Sequence, residues 1–184
     1  IGKYETEIVG RCLDGTKDDI KTVRLRTKMY DLQDGYIDVE GESHLVKLNG
    51  KEYIVGEQGQ SKSDDTTKTQ FLHQLSCYTA ITQLLKPGSK DNKISMVLAC
   101  PLSVLLIQDA KEEYKTFIKG DGPININVDG EEYEFTIEEI MVKAEGAGIM
   151  YLEPNLFTEQ STAIVDLGGL NMGFSLYNNG VCKK

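Results

Sequence analysis

Apolar and polar positions, with the turn residues between them, mark two hairpins, the clearer in its alternation lying in the second half of the chain. Ile124, Ile126 and Val128 alternate with polar residues, Asp129-Gly130 turns, and Tyr133, Phe135 and Ile137 alternate back. Earlier, Tyr36, Ile37, Val39, Leu45 and Val46 lead to Asn49-Gly50, the strongest short hairpin signal in the chain. The return strand is Glu52 to Val55, closed by Gly56. Residues 4–13 alternate loosely up to a Leu13-Asp14-Gly15 turn. Residues 20–30, with Ile20, Val23, Leu25 and Met29 set among charges, read as a second strand. The opening third is therefore expected to be antiparallel sheet.

A polar linker, Gln58 to Asp65, separates this region from a helical pattern. Phe71, Leu75, Tyr78, Ile81 and Leu85 share one helical face, which predicts a helix over about Thr66–Lys86. Asp64 or Asp65 would cap it and Pro87-Gly88 would end it. His73 is offset from the apolar positions and need not face the core. The apolar run within Lys93 to Cys100 reads as a central buried strand ended by Pro101. Ser103 then opens a second helix, to about Lys119, with Leu106, Ala110, Tyr114 and Phe117 on one face.

Ile140 to Val142 is expected to be another short strand. It runs into Lys143-Ala144-Glu145-Gly146-Ala147-Gly148 and a short helix to about Leu152, stopped by Pro154. The last apolar run, Ala163 to Val165, reads as a buried strand ending on Asp166. Met172 to Tyr177 returns, and Asn179-Gly180 turns again. No internal repeat interrupts this order, which predicts a mixed α/β or α+β domain with helices packed on a mixed sheet.

Composition narrows the class. The chain has 184 residues and a formal net charge of −9, so it lacks the cationic surface that direct nucleic-acid binding needs. No apolar run approaches the ~20 residues of a membrane span. Cys12, Cys77, Cys100 and Cys182 are far apart and form no C-x-x-C pair, which fits a reducing cytoplasm with each acting as a small buried hydrophobe. Two distant histidines, His44 and His73, make a zinc site a poor expectation.

Three short stretches could carry chemistry. Asp166-Leu167-Gly168-Gly169 places a carboxylate at a strand end beside a glycine turn. Such glycines let backbone N–H groups reach phosphate oxygens, and the Asp can hold magnesium through water. An ordinary hairpin with a solvated Asp fits the same letters. Glu145, flanked by Ala144, Gly146 and Gly148, could orient or deprotonate a water attacking a γ-phosphate. Taken alone, Glu145 is better accounted for as an acidic residue favouring a helix N-terminus. Gly2-Lys3-Tyr4-Glu5-Thr6 could wrap a phosphate, although no Walker loop and no G-x-G-x-x-G is present.

In this order the three stretches resemble the actin-like ATPase superfamily, which includes actin, the heat-shock chaperone ATPase domain and sugar kinases. Gly2 to Thr6 is similar to its first phosphate loop. Glu145-Gly146-Ala147-Gly148 resembles the segment carrying its catalytic Glu, and Asp166 to Gly169 its second phosphate loop. Tyr53-Ile54-Val55-Gly56-Glu57 and Ala99-Cys100-Pro101-Leu102 resemble, more narrowly, the ParM-type plasmid-segregation actins.

The resemblance implies ribonuclease-H-like α/β domains, with residues 1–157 as the first and 158–184 as the opening hairpin of a second. It implies ATP and magnesium as cofactors, with Asp166 on the metal through water and Glu145 positioning the hydrolytic water. Gly2, Lys3, Tyr4, Glu5 and Thr6 would lie on the nucleotide with Gly168, Gly169, Leu170 and Asn171. The implied activity is ATP hydrolysis coupled to filament formation for plasmid DNA segregation. The partners are further copies of the chain and a DNA-bound adaptor protein. A non-polymerising sugar- or acetate-kinase-like phosphotransferase, or a non-catalytic interaction domain, are the competing expectations. Glu7 stands where the family often has Lys. The family's first strand, ending in Asp, would precede Ile1, and its adenosine-binding segment would follow Lys184. The chain is thus expected to be a fragment with an open sheet edge that by itself binds nucleotide weakly or not at all.

Overall fold

The computed structural model describes residues 1–13, 19–33, 35, 37–62, 67–168 and 172–183. The N-terminal segment forms an antiparallel ribbon of β1 (Glu5–Gly10) and β2 (Lys21–Arg26). A six-stranded sheet follows, built from β3 (Met29–Asp31), β4 (Ser43–Leu48), β5 (Lys51–Gly56), β6 (Asn92–Cys100), β7 (Ile124–Val128) and β8 (Glu131–Ala144). Its order is β3-β5-β4-β7-β8-β6. All pairings are antiparallel except β6 with β8, so the sheet is mixed, as the sequence predicts. A third sheet comprises β9 (Ser161–Leu167), β10 (Met172–Asn178) and the short β11 (Val181–Cys182).

The turn residues set the register. Asn49-Gly50, Asp129-Gly130 and Asn179-Gly180 all have both residues at positive φ, the geometry whose twist matches paired strands. They place Leu48 opposite Lys51, Val128 opposite Glu131, and Asn178 opposite Val181.

Helix α1 (Phe71–Thr82) lies at the centre of the core. The predicted stripe does pack inward, but ten of the twelve helix residues are buried, including His73 at 0% exposure. A helix covered nearly all round has no outer face to which an off-stripe residue could turn. It also begins later than expected: Lys68 has φ 60°, incompatible with continuing an α-helix, and Gln70 is extended. Thr66 and the expected caps Asp64 and Asp65 lie outside the described residues. Tyr78 packs edge-on against Phe135 and donates its hydroxyl to the Ile118 carbonyl at 3.0 Å, tying α1 to the sheet and to the helix that ends at Lys119.

Further expectations are corrected. The second helix is two, α2 (Leu102–Leu105) and α3 (Gln108–Lys119), because Ile107 is extended between them; Leu106 therefore leaves the buried face and is 61% exposed. β6 is an edge strand, not a central one. Among the described residues only β8 pairs with it, and its alternate residues face outward, with Val97 at 66% exposure. Ile140–Val142 is not a separate strand; β8 runs on through it, with Glu138 bulged where the ladder shifts between Ile94 and Ser95. The strand at Ala163–Val165 is not buried: Val165 is 54% exposed. Of the cysteines, Cys77 and Cys100 are buried, whereas Cys12 is exposed and Cys182 half-buried. No helix among the described residues is long and apolar enough to cross a membrane.

Candidate functional site

The first stretch forms a tight turn. The Gly2 N–H donates to the Glu5 carbonyl at 2.9 Å, and a Cβ on Gly2 would fall 2.5 Å from that oxygen, so only glycine fits the turn unchanged. Tyr4 accepts a hydrogen bond from Arg26 at 2.5 Å, and the guanidinium stacks 3.5 Å above its ring. The Thr6 hydroxyl turns inward and pairs with the Thr27 hydroxyl at 2.9 Å, so it is not directed at a ligand.

Glu145 follows the end of the parallel β6–β8 ladder, whose last pair is Cys100 with Ala144. Its N–H donates to the Cys100 carbonyl at 2.9 Å, which fixes the backbone from which the carboxylate projects. The carboxylate meets the Lys68 ammonium in an ion pair that is nearly dry on the lysine side, with side-chain exposures of 3% for Lys68 and 23% for Glu145. Lys68 also donates to the Ile1 carbonyl at 2.8 Å. One ammonium thus ties the entry to the Gly2–Glu5 turn to Glu145. Burial, the largest cause, pushes the neighbouring Cys100 thiol up to about 11; the Lys68 charge works against this and the Glu145 charge with it.

The next residue reaches the third stretch. Gly146 has φ +76°, and a Cβ there would lie 2.9 Å from Ile164 Cγ2 and 3.7 Å from Asp166 Cβ. Asp166 sits half-buried on β9, facing Gly173 across the hairpin. The first stretch, Glu145 and Asp166, from three separate parts of the sequence, therefore converge, bridged by Lys68 and by the bare backbone of Gly146. Gly168 is exposed at the end of β9. Gly169, Leu170 and Asn171 lie outside the described residues. Among those described, no group of three or more His, Cys, Asp or Glu side chains is arranged to hold a metal ion directly. Two surface depressions, one lined by residues including Asp31 and Lys51, the other by Val97 and Met141, share no residue with this convergence.

Lys68 is the member of this group that sequence reading missed. It stands in a polar Thr-Lys-Thr run with no periodic or motif signal, and its partner is 77 positions away.

Residues 1–148 match the family model described as the N-terminal domain of actin-like proteins. Among solved structures, the Alp12 filament is 52% identical over 99% of this chain and 56% of its own, with a TM-score of 0.72. AlfA from the B. subtilis plasmid pLS32, also solved as a filament, is 22% identical over 100% of this chain and 67% of its own, with a TM-score of 0.76. An AlfA filament bound to AMPPNP is 24% identical over 91% and 60%, with a TM-score of 0.68. Apo pSK41 ParM shares the fold at 13% identity over 89% and 58%, with a TM-score of 0.70. The chain thus spans little more than half the length of Alp12. No curated protein sequence matches it.

Proposed function

We propose that this chain, which belongs to the actin-like protein family, is the nucleotide-binding first part of a cytoplasmic filament-forming ATPase that segregates plasmid DNA. The observation carrying this reading is the convergence of the Gly2–Glu5 turn, Glu145 and Asp166 through Lys68 and Gly146. The donor set suits a magnesium nucleotide: a glycine turn that brings backbone close, and two carboxylates from different elements. ATP would supply the transferable phosphoryl group and magnesium would neutralise its charge. The residues of this chain would then hold and orient. Gly2 to Thr6 and Gly168 to Asn171 would line the phosphates, chiefly by backbone N–H groups. Asp166 would hold the cation through water, and Glu145 would orient or deprotonate the attacking water.

The 52% identity to a protein solved as a filament favours polymerisation over phosphotransfer to a small acceptor. The AMPPNP-bound AlfA filament supports nucleotide in an assembly of this type. The separate sheet of β9, β10 and β11 supports a second unit beginning near residue 158. A net charge of −9 favours reaching DNA through an adaptor protein rather than directly.

Right-angle light scattering tests the reading on the full-length protein carrying this sequence. With magnesium and ATP, scattering should rise and then fall as nucleotide is consumed; with ADP it should stay low. A flat ATP trace from protein with demonstrated nucleotide binding would reject filament formation and favour a kinase-like activity.

A further inference from the structure

We infer that Lys68 is the positioning residue for Glu145, locking its carboxylate to the first phosphate-loop turn; the inference rests on the reading that Glu145 orients the attacking water. Three observations carry it. The Lys68 side chain is almost wholly buried, and an ammonium out of water is sustained only by close partners. Those partners are the Ile1 carbonyl, on the residue that leads into the Gly2–Glu5 turn, and the Glu145 carboxylate. The Lys68 backbone is at φ 60°, a left-handed conformation that costs an L residue energy.

The geometry assigns a division of labour. The carboxylate has two oxygens. Oε1 is taken by Lys68, and the side chain keeps 23% exposure, so part of the carboxylate remains open to a water. A single fixed rotamer is what an orienting base requires, since misplacement by about 1 Å can cost on the order of 100-fold in rate. A Glu at the end of a strand, followed by glycine, would otherwise sweep several rotamers. Lys68 restricts it, and through Ile1 it fixes the distance between Glu145 and the turn. Lys68 is therefore not itself a catalytic residue.

The test uses the full-length protein with Lys68→Met, Lys68→Arg, Glu145→Gln and the double variant Lys68→Met/Glu145→Gln. Single-turnover phosphate release from magnesium-ATP and equilibrium binding of AMPPNP are measured, together with thermal midpoints without nucleotide. Lys68→Met should slow release about 10- to 100-fold while AMPPNP affinity changes less than about threefold, and Lys68→Arg should recover part of the rate. The double variant should release phosphate no more slowly than Glu145→Gln alone. Without nucleotide, each single loss should lower the midpoint, and the double variant should fall by less than the sum, because it leaves no unpaired buried charge.

Multiplying rate effects with additive midpoint losses would overturn the inference. So would a Lys68→Met protein that loses AMPPNP binding but keeps its release rate, since Lys68 would then be a nucleotide ligand. Glu145→Gln with normal release would instead remove the parent reading, and this inference with it. If Lys68→Met does not fold, Lys68→Arg on the wild-type and Glu145→Gln backgrounds decides the matter. A rate loss in the first that disappears in the second supports positioning; a loss of equal size in both overturns it.

Discussion

Gly146 lies beside Asp166 across twenty positions of sequence: a Cβ on the glycine would lie 3.7 Å from the Cβ of the aspartate, and 2.9 Å from Ile164 Cγ2. The glycine also sits at φ +76°. Gly146→Ala should therefore cost about 1–3 kcal/mol through backbone strain and displacement of Ile164. Gly148, at the start of α4 (Gly148–Leu152), has open space where a Cβ would go and no positive φ. Gly148→Ala should be neutral within ~0.5 kcal/mol. Thermal unfolding of the two variants checks the contrast, and equal losses would refute it.

The hydroxyls of Thr6 and Thr27 make a buried pair at 2.9 Å that joins β1 to the residue following β2. Removing one hydroxyl strands the other without water. Thr6→Val should cost about 1–3 kcal/mol, whereas Thr6→Val with Thr27→Val should recover much of the loss. Denaturant midpoints of the single and double variants decide it; additive losses would mean that the hydroxyls are not coupled.

The sequence signals that held are local ones. Asn49-Gly50, Asp129-Gly130 and Asn179-Gly180 specify turns through their own backbone preferences, and the structure places each where expected. The apolar run of β6 looked central because composition does not reveal how many neighbours a strand has; among the described residues only one strand pairs with it. The burial of His73 does not show in the apolar stripe, because a helix buried on nearly every side carries no periodic mark of it. At the site, Gly2, Glu145 and Asp166 were legible as motif letters. Lys68 was not, since a lysine in a polar run acquires its role only when residues 1 and 145 fold onto it.

An outward apolar face distinguishes the β9–β10 hairpin. Val165 lies opposite Phe174 and Leu167 opposite Met172, with Val165 and Phe174 both more than half exposed. A contiguous patch of this kind binds hydrophobic dyes and promotes association. In the 184-residue chain, Val165→Lys combined with Phe174→Glu should lower dye fluorescence and self-association, because the new side chains form an opposite-charge cross-strand pair. The thermal midpoint should hold within about 2 °C. A larger fall would show that this face is packed in the chain alone.

Burial sorts the four thiols into two classes with opposite chemistry. It pushes Cys77 and Cys100 up to about 11 from a value of 9.0, with lesser charge effects at each, while Cys12 is exposed. Only the thiolate attacks a disulfide reagent. At pH 8 an aromatic disulfide should therefore label Cys12 rapidly and Cys182 more slowly, leaving Cys77 and Cys100 unlabelled until denaturant is added. The same shifts fix a pH dependence. The folded state favours the protonated thiols, so their stabilising contribution is full below pH 9. It declines as the unfolded chain ionises first, and is lost as pH rises through about 11. Denaturant midpoints should fall between pH 9 and pH 11, and Cys77→Ala with Cys100→Ala should flatten that part of the profile while lowering stability at neutral pH. Rapid native labelling of all four thiols at pH 8 would contradict the burial of Cys77 and Cys100, and an unchanged alkaline slope in the double variant would assign it to other groups.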